Sequence, residues 1–158
     1  MTLHTIPPVW DKNSKVLILG SFPSVKSREE GFFYGHKQNR FWKVVANVCN
    51  FPVPQNIDEK KAMLLANGIA VWDVIHSCDI VGSSDSSIKN VVPNDIADIV
   101  QKSHIERIFT NGKKADELYK KYIEQTVGIS AECLPSTSPA NAVWTLEKLC
   151  EEWKIIQK

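Results

Sequence analysis

The chain has 158 residues, 43% of them hydrophobic, and a formal net charge of +1 at pH 7. This size suits one domain with an ordinary buried core, so we predict a single domain over residues 1–158, with a short amino-terminal arm over residues 1–12. The near-neutral charge argues against a protein that coats nucleic acid, because sequence-independent affinity comes largely from neutralising phosphates.

The sequence has neither an apolar run of membrane-spanning length nor a cleavable apolar leader, so we expect a cytoplasmic protein without a membrane partner. Its four cysteines are widely separated, and none belongs to a Cys-x-x-Cys pair. We therefore expect neither a zinc nor an iron–sulfur site. The better interpretation is a set of isolated buried thiols at Cys49, Cys78, Cys133 and Cys150.

Strands and helices are predicted to alternate along the chain. Four apolar runs read as strands: Val16 to Leu19, Ile69 to Val74, Arg107 to Thr110, and about Ile129 to Leu134. Helical patterns lie between them. This alternation predicts the α/β class, as a three-layer α/β/α sandwich around a central parallel sheet of about four strands.

Local signals place the helix ends. Asn39 is a candidate cap for a helix with apolar residues at 41, 42, 44, 45 and 48, and Asn56 with Glu59 has the form of a capping box. Further helices are predicted after Pro93 and after Asn111-Gly112, and a last one from about Val143 to Ile156.

The segment from Gly31 to Lys43 follows the first predicted strand and its turn, and it combines aromatic rings, an uncharged amide and cations. Ligands of open α/β sheets bind beyond the carboxyl ends of the strands. Stacking rings suit a planar base, and amide and cationic donors suit its edge or a phosphate. We therefore predict a pocket for one nucleobase.

Five cations cluster around this segment, and they form either a DNA-facing patch or an ordinary solvated surface. They are Lys26, Arg28, Lys37, Arg40 and Lys43.

Three blocks together resemble a known family. They are the Gly-x-x-Pro loop from Gly20 to Ser24, the segment ending in Asn39-Arg-Phe-Trp42, and Leu134 to Asn141 near the carboxyl end. Their order and spacing are similar to those of the uracil-DNA glycosylase superfamily, within it the branch of mismatch-specific and hypoxanthine-DNA glycosylases. The resemblance implies a uracil-DNA glycosylase-like fold and a monomeric DNA glycosylase of base excision repair that needs no cofactor and acts on DNA containing a deaminated base.

The resemblance also implies roles for individual residues. Tyr34 matches the ring that covers the flipped base, although Phe33 or Phe22 could serve instead. Phe22 occupies the place of the family's usual water-positioning asparagine, which argues against ordinary uracil removal. Asn39 is then the catalytic candidate: an amide cannot take a proton at neutral pH, but it can hold the attacking water and stabilise charge at the sugar. A plain helix cap is the alternative for Asn39.

Other candidates concern the leaving base and the DNA backbone. Donors facing the departing base could come from His36, Asn111 and the backbone amides near Ser21 to Ser24, with turn or surface roles as alternatives. Asp73 and Asp85 could orient water or brace Ser86 and Ser87, and we favour the structural hydrogen-bonding role for both. Ala140 stands where relatives carry a bulky wedge. Hydroxyl, amide and backbone groups predicted to bind DNA phosphates come from Ser21, Ser24, Ser136, Thr137, Ser138 and Asn141.

The function predicted from the sequence is a monofunctional DNA glycosylase that removes a deaminated base, first of all hypoxanthine from deoxyinosine, with water as the nucleophile. Two alternatives stay open: a mismatch-specific uracil/thymine-DNA glycosylase, and a noncatalytic module that binds nucleic acid through the same pocket.

Overall fold

A computed structural model describes residues 1–157. The strands are Thr2–Leu3 (β1), Val16–Gly20 (β2), Ile69–Asp73 (β3), Ile75–Asp79 (β4), Lys89–Pro93 (β5), Arg107–Asn111 (β6) and Ala131–Leu134 (β7). The α-helices are Val25–Glu30 (α1), Phe41–Val48 (α2), Ile57–Ala66 (α3), Ile96–Gln101 (α4), Lys113–Tyr122 (α5), Glu124–Val127 (α6) and Leu146–Trp153 (α7). Two 3₁₀ turns cover Asp85–Ser87 and Lys154–Gln157.

The central sheet has four parallel strands, as the sequence predicts. Their order is β3-β2-β6-β7. Every residue of β2 is buried, and successive side chains point to opposite faces. Ile18 packs in one core with residues of α2, α3 and α7, whereas Leu17 and Leu19 pack in a second core with residues of α4 and α5. Both faces are therefore covered, which confirms the three-layer sandwich.

A second, antiparallel sheet with the order β1-β4-β5 escapes the sequence prediction. Strands β3 and β4 are separated only by Val74, so they read as one apolar run. The amino-terminal residues expected to form an arm pack against the domain: β1 pairs with β4, and Ile6 and Val9 are buried. Val9 also bridges to Val71 of β3.

Most predicted helix ends agree with the structure. Asn56 Oδ1 accepts from Glu59 N at 2.8 Å, and Asp95 caps α4 through Asp98 N. The last helix is the exception, since α7 begins at Leu146 rather than Val143. Thr145 Oγ1 accepts from Lys148 N and sets this start, and Val143 stays 81% exposed on the loop before it.

The four thiols are free, but they are not all buried as predicted. Cys78 and Cys150 are buried, and Cys49 is half-buried. Cys133 is exposed on β7, which is an edge strand of the parallel sheet. Within residues 1–157 no helix has the length and apolar character needed to cross a membrane, and no three His, Cys, Asp or Glu side chains are grouped as a metal site would need.

Candidate active site

A cavity of about 290 Å³ opens at the carboxyl edge of the parallel sheet, where the loops after β2 and β7 meet the segment before α2. The three sequence blocks come together here because parallel strands end at the same edge. Its size is near the lower end of the range for small-ligand pockets, roughly 300–1,000 Å³. Residues from all three blocks and from the ends of β3 and β6 line the cavity. The lining residues include Gly20, Ser21, Phe22, Ser24, Phe33, Tyr34, His36, Asn39, Asp73, Ser83, Asp85, Asn111, Ser136, Thr137, Ser138 and Ala140.

Asn39 is half-buried at the cavity and belongs to a hydrogen-bond chain with a fixed direction. Its Oδ1 accepts from Phe41 N at 3.0 Å and from the Thr137 hydroxyl at 2.8 Å. The backbone N–H of Phe41 can only donate, so this oxygen is identified without ambiguity. The N-cap of α2 is Arg40 rather than Asn39 as predicted, and Asn39 makes its capping hydrogen bond to the first N–H of the helix from the position before it. This bond coexists with a place in the site, and Asn39 Nδ2 is the end left for the cavity.

Asn111 begins that chain. Its Oδ1 accepts from Thr137 N at 3.1 Å, and its Nδ2 donates to Thr137 Oγ1 at 3.0 Å. The Thr137 hydroxyl therefore accepts one hydrogen bond from Asn111 Nδ2 and donates one to Asn39 Oδ1. Such chains polarise their members, so Asn39 Nδ2 becomes a stronger donor.

Tyr34 lies with its ring stacked on Phe41, at a centroid distance of 4.0 Å and an interplanar angle of 18°. One face of the ring is thus used within the core. The Tyr34 hydroxyl is buried, and none of residues 1–157 forms a hydrogen bond of good geometry with it; the Asn111 side chain lies near enough to affect it, but both ends of its amide are bonded to Thr137. Burial raises the pKa of this hydroxyl well above its ordinary value, and the negative charge of Asp73 adds to the effect while the Asn111 side chain opposes it. The group therefore stays protonated.

Asp73, at the end of β3, is 3% exposed and lines the cavity. Together with Gly20 and the Tyr34 hydroxyl it forms the part of the lining called the cavity floor. His4 Nε2 lies 2.8 Å from Asp73 Oδ2. A Cβ added to Gly20 would lie 2.4 Å from Asp73 Oδ1 and 3.0 Å from the Tyr34 hydroxyl, so both oxygens border the same small space. Leaving a buried polar atom unpaired costs about 1–3 kcal/mol, and a bound polar ligand would remove that cost at this floor.

The remaining aromatic and histidine candidates all line the cavity, but their surroundings differ. Phe33 is 2% exposed and packs against Phe32, so it belongs mainly to the core. Phe22 is half-buried, with Arg28 stacked over its ring at 5.6 Å. His36 is exposed, and its Nδ1 accepts from the backbone N–H of residue 38 at 3.1 Å.

Arg40 is a clamp rather than part of a free basic surface. Its Nη2 donates to Ser138 O at 2.9 Å and to Asn141 O at 3.1 Å, and its Nη1 donates to Trp144 O. Arg28 is similarly engaged, with Nη2 2.6 Å from Gly82 O. The two arginines of the basic cluster thus hold loops, which leaves its lysines as the cations facing solvent.

The candidate phosphate ligands divide into two groups. Ser136 Oγ and Ser138 Oγ accept from backbone N–H groups two residues ahead, which leaves their protons to be donated elsewhere. Thr137 is fully buried, and both its hydroxyl and its N–H are used inside the protein. Asn141 lies behind the loop, where its Nδ2 donates to Ser136 O.

The segment from Gly82 to Ser87 forms one wall of the cavity. Ser21 Oγ donates to Asp85 Oδ1 at 3.1 Å, and Ser83 Oγ accepts from Val25 N at 2.9 Å. Ser24 Oγ caps α1 through the N–H of residue 27. Asp85 is an exposed residue, but partial desolvation of its carboxyl at the cavity wall raises its pKa, against the lowering effects of the Ser21 hydrogen bond and Lys114. Asp73 and Asp85 therefore make structural hydrogen bonds, to His4 and Ser21, and both also line the cavity.

Sequence reasoning missed His4, the clamping role of Arg40, and Ser83. The pairing of His4 with Asp73 spans 69 residues, and no local pattern in the sequence marks it. Arg40 adjoins Asn39 inside a recognised block, so its importance could be noticed, but its carbonyl partners lie about a hundred positions away.

The family model for the Uracil DNA glycosylase superfamily matches residues 7–158. A hypoxanthine DNA glycosylase of Methanosarcina acetivorans is 33% identical over 158 residues, covering 99% of this chain and 98% of that protein. A protein of the same name from Methanosarcina barkeri is 31% identical over 143 residues, covering 89% of each chain.

The fold has a counterpart among solved structures. A Methanosarcina acetivorans protein solved by NMR in solution superposes with a TM-score of 0.82 at 30% sequence identity, covering 96% of this chain and 94% of the other. The family match, these relatives and the shared architecture agree with the three sequence blocks that meet at the cavity. The chain belongs to the uracil DNA glycosylase superfamily.

Proposed function

We propose that the protein is a monofunctional DNA glycosylase that hydrolyses the bond between deoxyribose and hypoxanthine. The observation that carries this proposal is the placement of two oxygens, Asp73 Oδ1 and the Tyr34 hydroxyl, around one small space above Gly20 at the cavity. The relatives named hypoxanthine DNA glycosylase support it. The same relatives support DNA with a deaminated base as the substrate. Our expectation of a monomer in the cytoplasm stays a prediction.

The floor suits the edge of hypoxanthine better than that of adenine. Hypoxanthine carries an N–H donor at position 1 beside a carbonyl acceptor at position 6, whereas adenine carries an acceptor and a donor in the reverse order. A carboxylate only accepts, and a protonated hydroxyl can donate. Asp73 would therefore accept from N1–H, and Tyr34 would donate to the carbonyl. Held in the same orientation, adenine would set its N1 lone pair against the carboxylate and its amino group against the hydroxyl proton.

Asn39 would act through its Nδ2 because its oxygen is already occupied. A donor can orient the attacking water by binding the water oxygen, but it cannot take a proton from it. The purine would leave with the electron pair of the broken bond and take up the proton that the water loses. Cleavage through a cation-like sugar needs only a weak nucleophile, and the negative charge of Asp73 and Asp85 at the cavity would favour that cation.

Reaching the sugar–base bond requires that the nucleotide leaves the DNA stack, at a cost of a few kcal/mol. Stacking on one aromatic ring returns about 1–3 kcal/mol. Tyr34, already packed on Phe41, offers at most one face, and Phe22 offers another ring. The hydroxyl protons of Ser136 and Ser138 would hold flanking phosphates. A site of this kind favours weakly paired bases.

The direct test uses purified protein and duplexes that contain one deoxyinosine, followed by alkaline cleavage of abasic sites. We expect strand breaks at the inosine position, at a rate that falls in Asp73→Asn and Tyr34→Phe. An absence of product above the no-enzyme control would remove the proposal, and it would leave the noncatalytic binding module as the better interpretation.

A uracil/thymine mismatch glycosylase is the second candidate, and one observation favours it: uracil and thymine also carry an N–H beside carbonyl groups, which the same floor can bind. Phe22, in place of the usual amide, argues against it. Inosine and uracil substrates competing in one reaction would separate the two candidates by their initial rates.

Gly20→Ala tests whether the floor must stay open. The new methyl group would lie 2.4 Å from Asp73 Oδ1, and this carboxylate is tied to His4. We expect stability to fall by about 1–3 kcal/mol from overpacking, and the single-turnover excision rate to fall by about 10²-fold from the displaced floor. Thermal melting and quenched-flow kinetics measure both. A wild-type rate in this variant would mean that the base does not reach the floor.

Thr137→Val tests the hydrogen-bond chain between Asn111 and Asn39. Valine keeps the shape but removes the hydroxyl that links the two amides. Unpairing these groups should cost about 1–3 kcal/mol of stability. The excision rate should fall by about tenfold, because Asn39 keeps its donor and loses only one supporting hydrogen bond, worth about 1.4 kcal/mol. Thr137→Ser, which keeps the hydroxyl, is the control, and equal rates in the two variants would contradict a role for the chain.

A further inference from the structure

His4 lies outside the three blocks, and β1 brings it beneath the cavity. Its side chain is 1% exposed. Three aromatic rings surround it, with centroids 6.0, 6.1 and 6.4 Å away, and they belong to Phe22, Phe33 and Trp72. A polar ring in such an apolar enclosure needs a specific partner, and Asp73 Oδ2 at 2.8 Å supplies it.

The hydrogen bond between His4 and Asp73 gives the two oxygens of the Asp73 carboxylate different surroundings. Oδ2 is held by His4 on the side away from the cavity, and Oδ1 borders the space above Gly20. Asn94 bonds to the backbone carbonyl of Asp73, not to its carboxylate. Among residues 1–157, His4 is the side chain that bonds to this carboxylate, so rotation about its last bond is restrained by His4.

We propose that His4 is a positioning residue for base selection: it fixes the rotation of the Asp73 carboxylate and so keeps Oδ1 as a single acceptor on the cavity floor. This inference rests on the proposed function, since it assumes that a base edge meets Oδ1. It gives the small antiparallel sheet a role in the site, because β1 sets the position of His4.

The pairing of β1 explains how that position is maintained. Thr2 and Leu3 pair with Cys78 and Ser77 of β4, and the His4 N–H donates to His76 O at 2.7 Å. Because successive strand residues point to opposite sides, a slip of one residue would turn the imidazole away from Asp73. The sheet thus determines which side chain meets the carboxylate.

The test measures selectivity rather than activity alone. Single-turnover excision rates are compared for hypoxanthine and for unsubstituted purine, which has neither N1–H nor a carbonyl, placed in the same duplex. In the wild type the hypoxanthine-to-purine rate ratio should be high. In His4→Phe, which keeps an aromatic ring but loses the bond to Asp73, we expect this ratio to fall by about 10- to 100-fold as the acceptor loses its position.

Two amide variants keep the inference testable if phenylalanine prevents folding. Gln places its amide nitrogen near the position of imidazole Nε2, whereas the shorter Asn does not reach it. His4→Gln should keep most of the wild-type ratio, and His4→Asn should lose it at comparable thermal stability. Leu3→Ala is the matched control, since Leu3 is 55% exposed on the same strand and does not line the cavity.

The outcomes separate this inference from the function on which it rests. A merely structural His4 would lower both rates equally in His4→Phe and His4→Asn and leave their ratio unchanged, and that result would overturn the inference. If the wild-type protein releases no hypoxanthine at all, the proposed function fails and the inference fails with it. A wild-type enzyme with a high ratio that no His4 variant alters refutes the positioning role alone.

Discussion

Asn39→Asp is expected to reduce the single-turnover excision rate by about 10²- to 10³-fold, the usual effect of removing one preorganised donor from an active site. The carboxylate keeps an oxygen that accepts from Phe41 N and Thr137 Oγ1. The change therefore removes the Nδ2 donor while it preserves the local structure. A negative charge beside the first turn of α2 is also favourable, so the melting temperature should not fall.

Asn39→Ala provides the comparison. It removes both the donor and the two accepted bonds, so it should lose the same activity and, in addition, about 1–2 kcal/mol of stability from the lost cap. Rates come from quenched-flow assays on inosine duplexes and stability from thermal melting. Full activity in Asn39→Asp would show that Nδ2 plays no part in the chemistry, and it would return Asn39 to a capping role.

Arg40→Lys is expected to lower the excision rate by about 10²-fold, because misplacement of a positioning loop by about 1 Å can have that effect. Arginine reaches Ser138, Asn141 and Trp144 at once through a planar group with several donors. Lysine has one ammonium group and cannot meet the three carbonyls together. The loop that carries Ser136 and Ser138 would then lose its fixed position.

The salt dependence of DNA binding shows whether Arg40 instead binds a phosphate. Each lost phosphate contact reduces the slope of log affinity against log salt by about one. We expect an unchanged slope in Arg40→Lys and Arg40→Ala, together with a lower melting temperature. Lys37→Ala, which removes an exposed cation from the same segment, is the control and should leave stability unchanged. A reduced slope with normal stability in Arg40→Ala would assign Arg40 to the DNA surface.

The sheet could be predicted because its central strands are buried on both sides and therefore appear as short apolar runs, as in Val16 to Leu19. The smaller sheet could not, since β5 alternates weakly and is mostly exposed. The approach of the three blocks followed from the rule that parallel strands end at one edge. Within the site, residue types indicated which groups are available but not how they are paired.

Arg40 and Tyr34 illustrate that limit. A cation next to an aromatic segment reads as a DNA ligand, but the structure uses Arg40 to bind backbone carbonyls of a distant loop. From the sequence, Tyr34 is interpreted as a stacking ring. In the structure its backbone has a φ of 51° and its hydroxyl is buried near Asp73, and no local sequence pattern predicts either feature. In both cases the role of the side chain depends on partners that are distant in the sequence.

The bonds of Asn111 also bear on the chemical durability of the protein. Asn followed by Gly is prone to deamidation, because the next backbone nitrogen can attack the side-chain carbonyl carbon. Here both ends of the Asn111 amide are bound to Thr137, and the N–H of Gly112 donates to Leu134 O at 2.9 Å. The interactions that orient the amide thus hold the two reacting groups apart, and the folded chain should age more slowly at this dipeptide than the unfolded one.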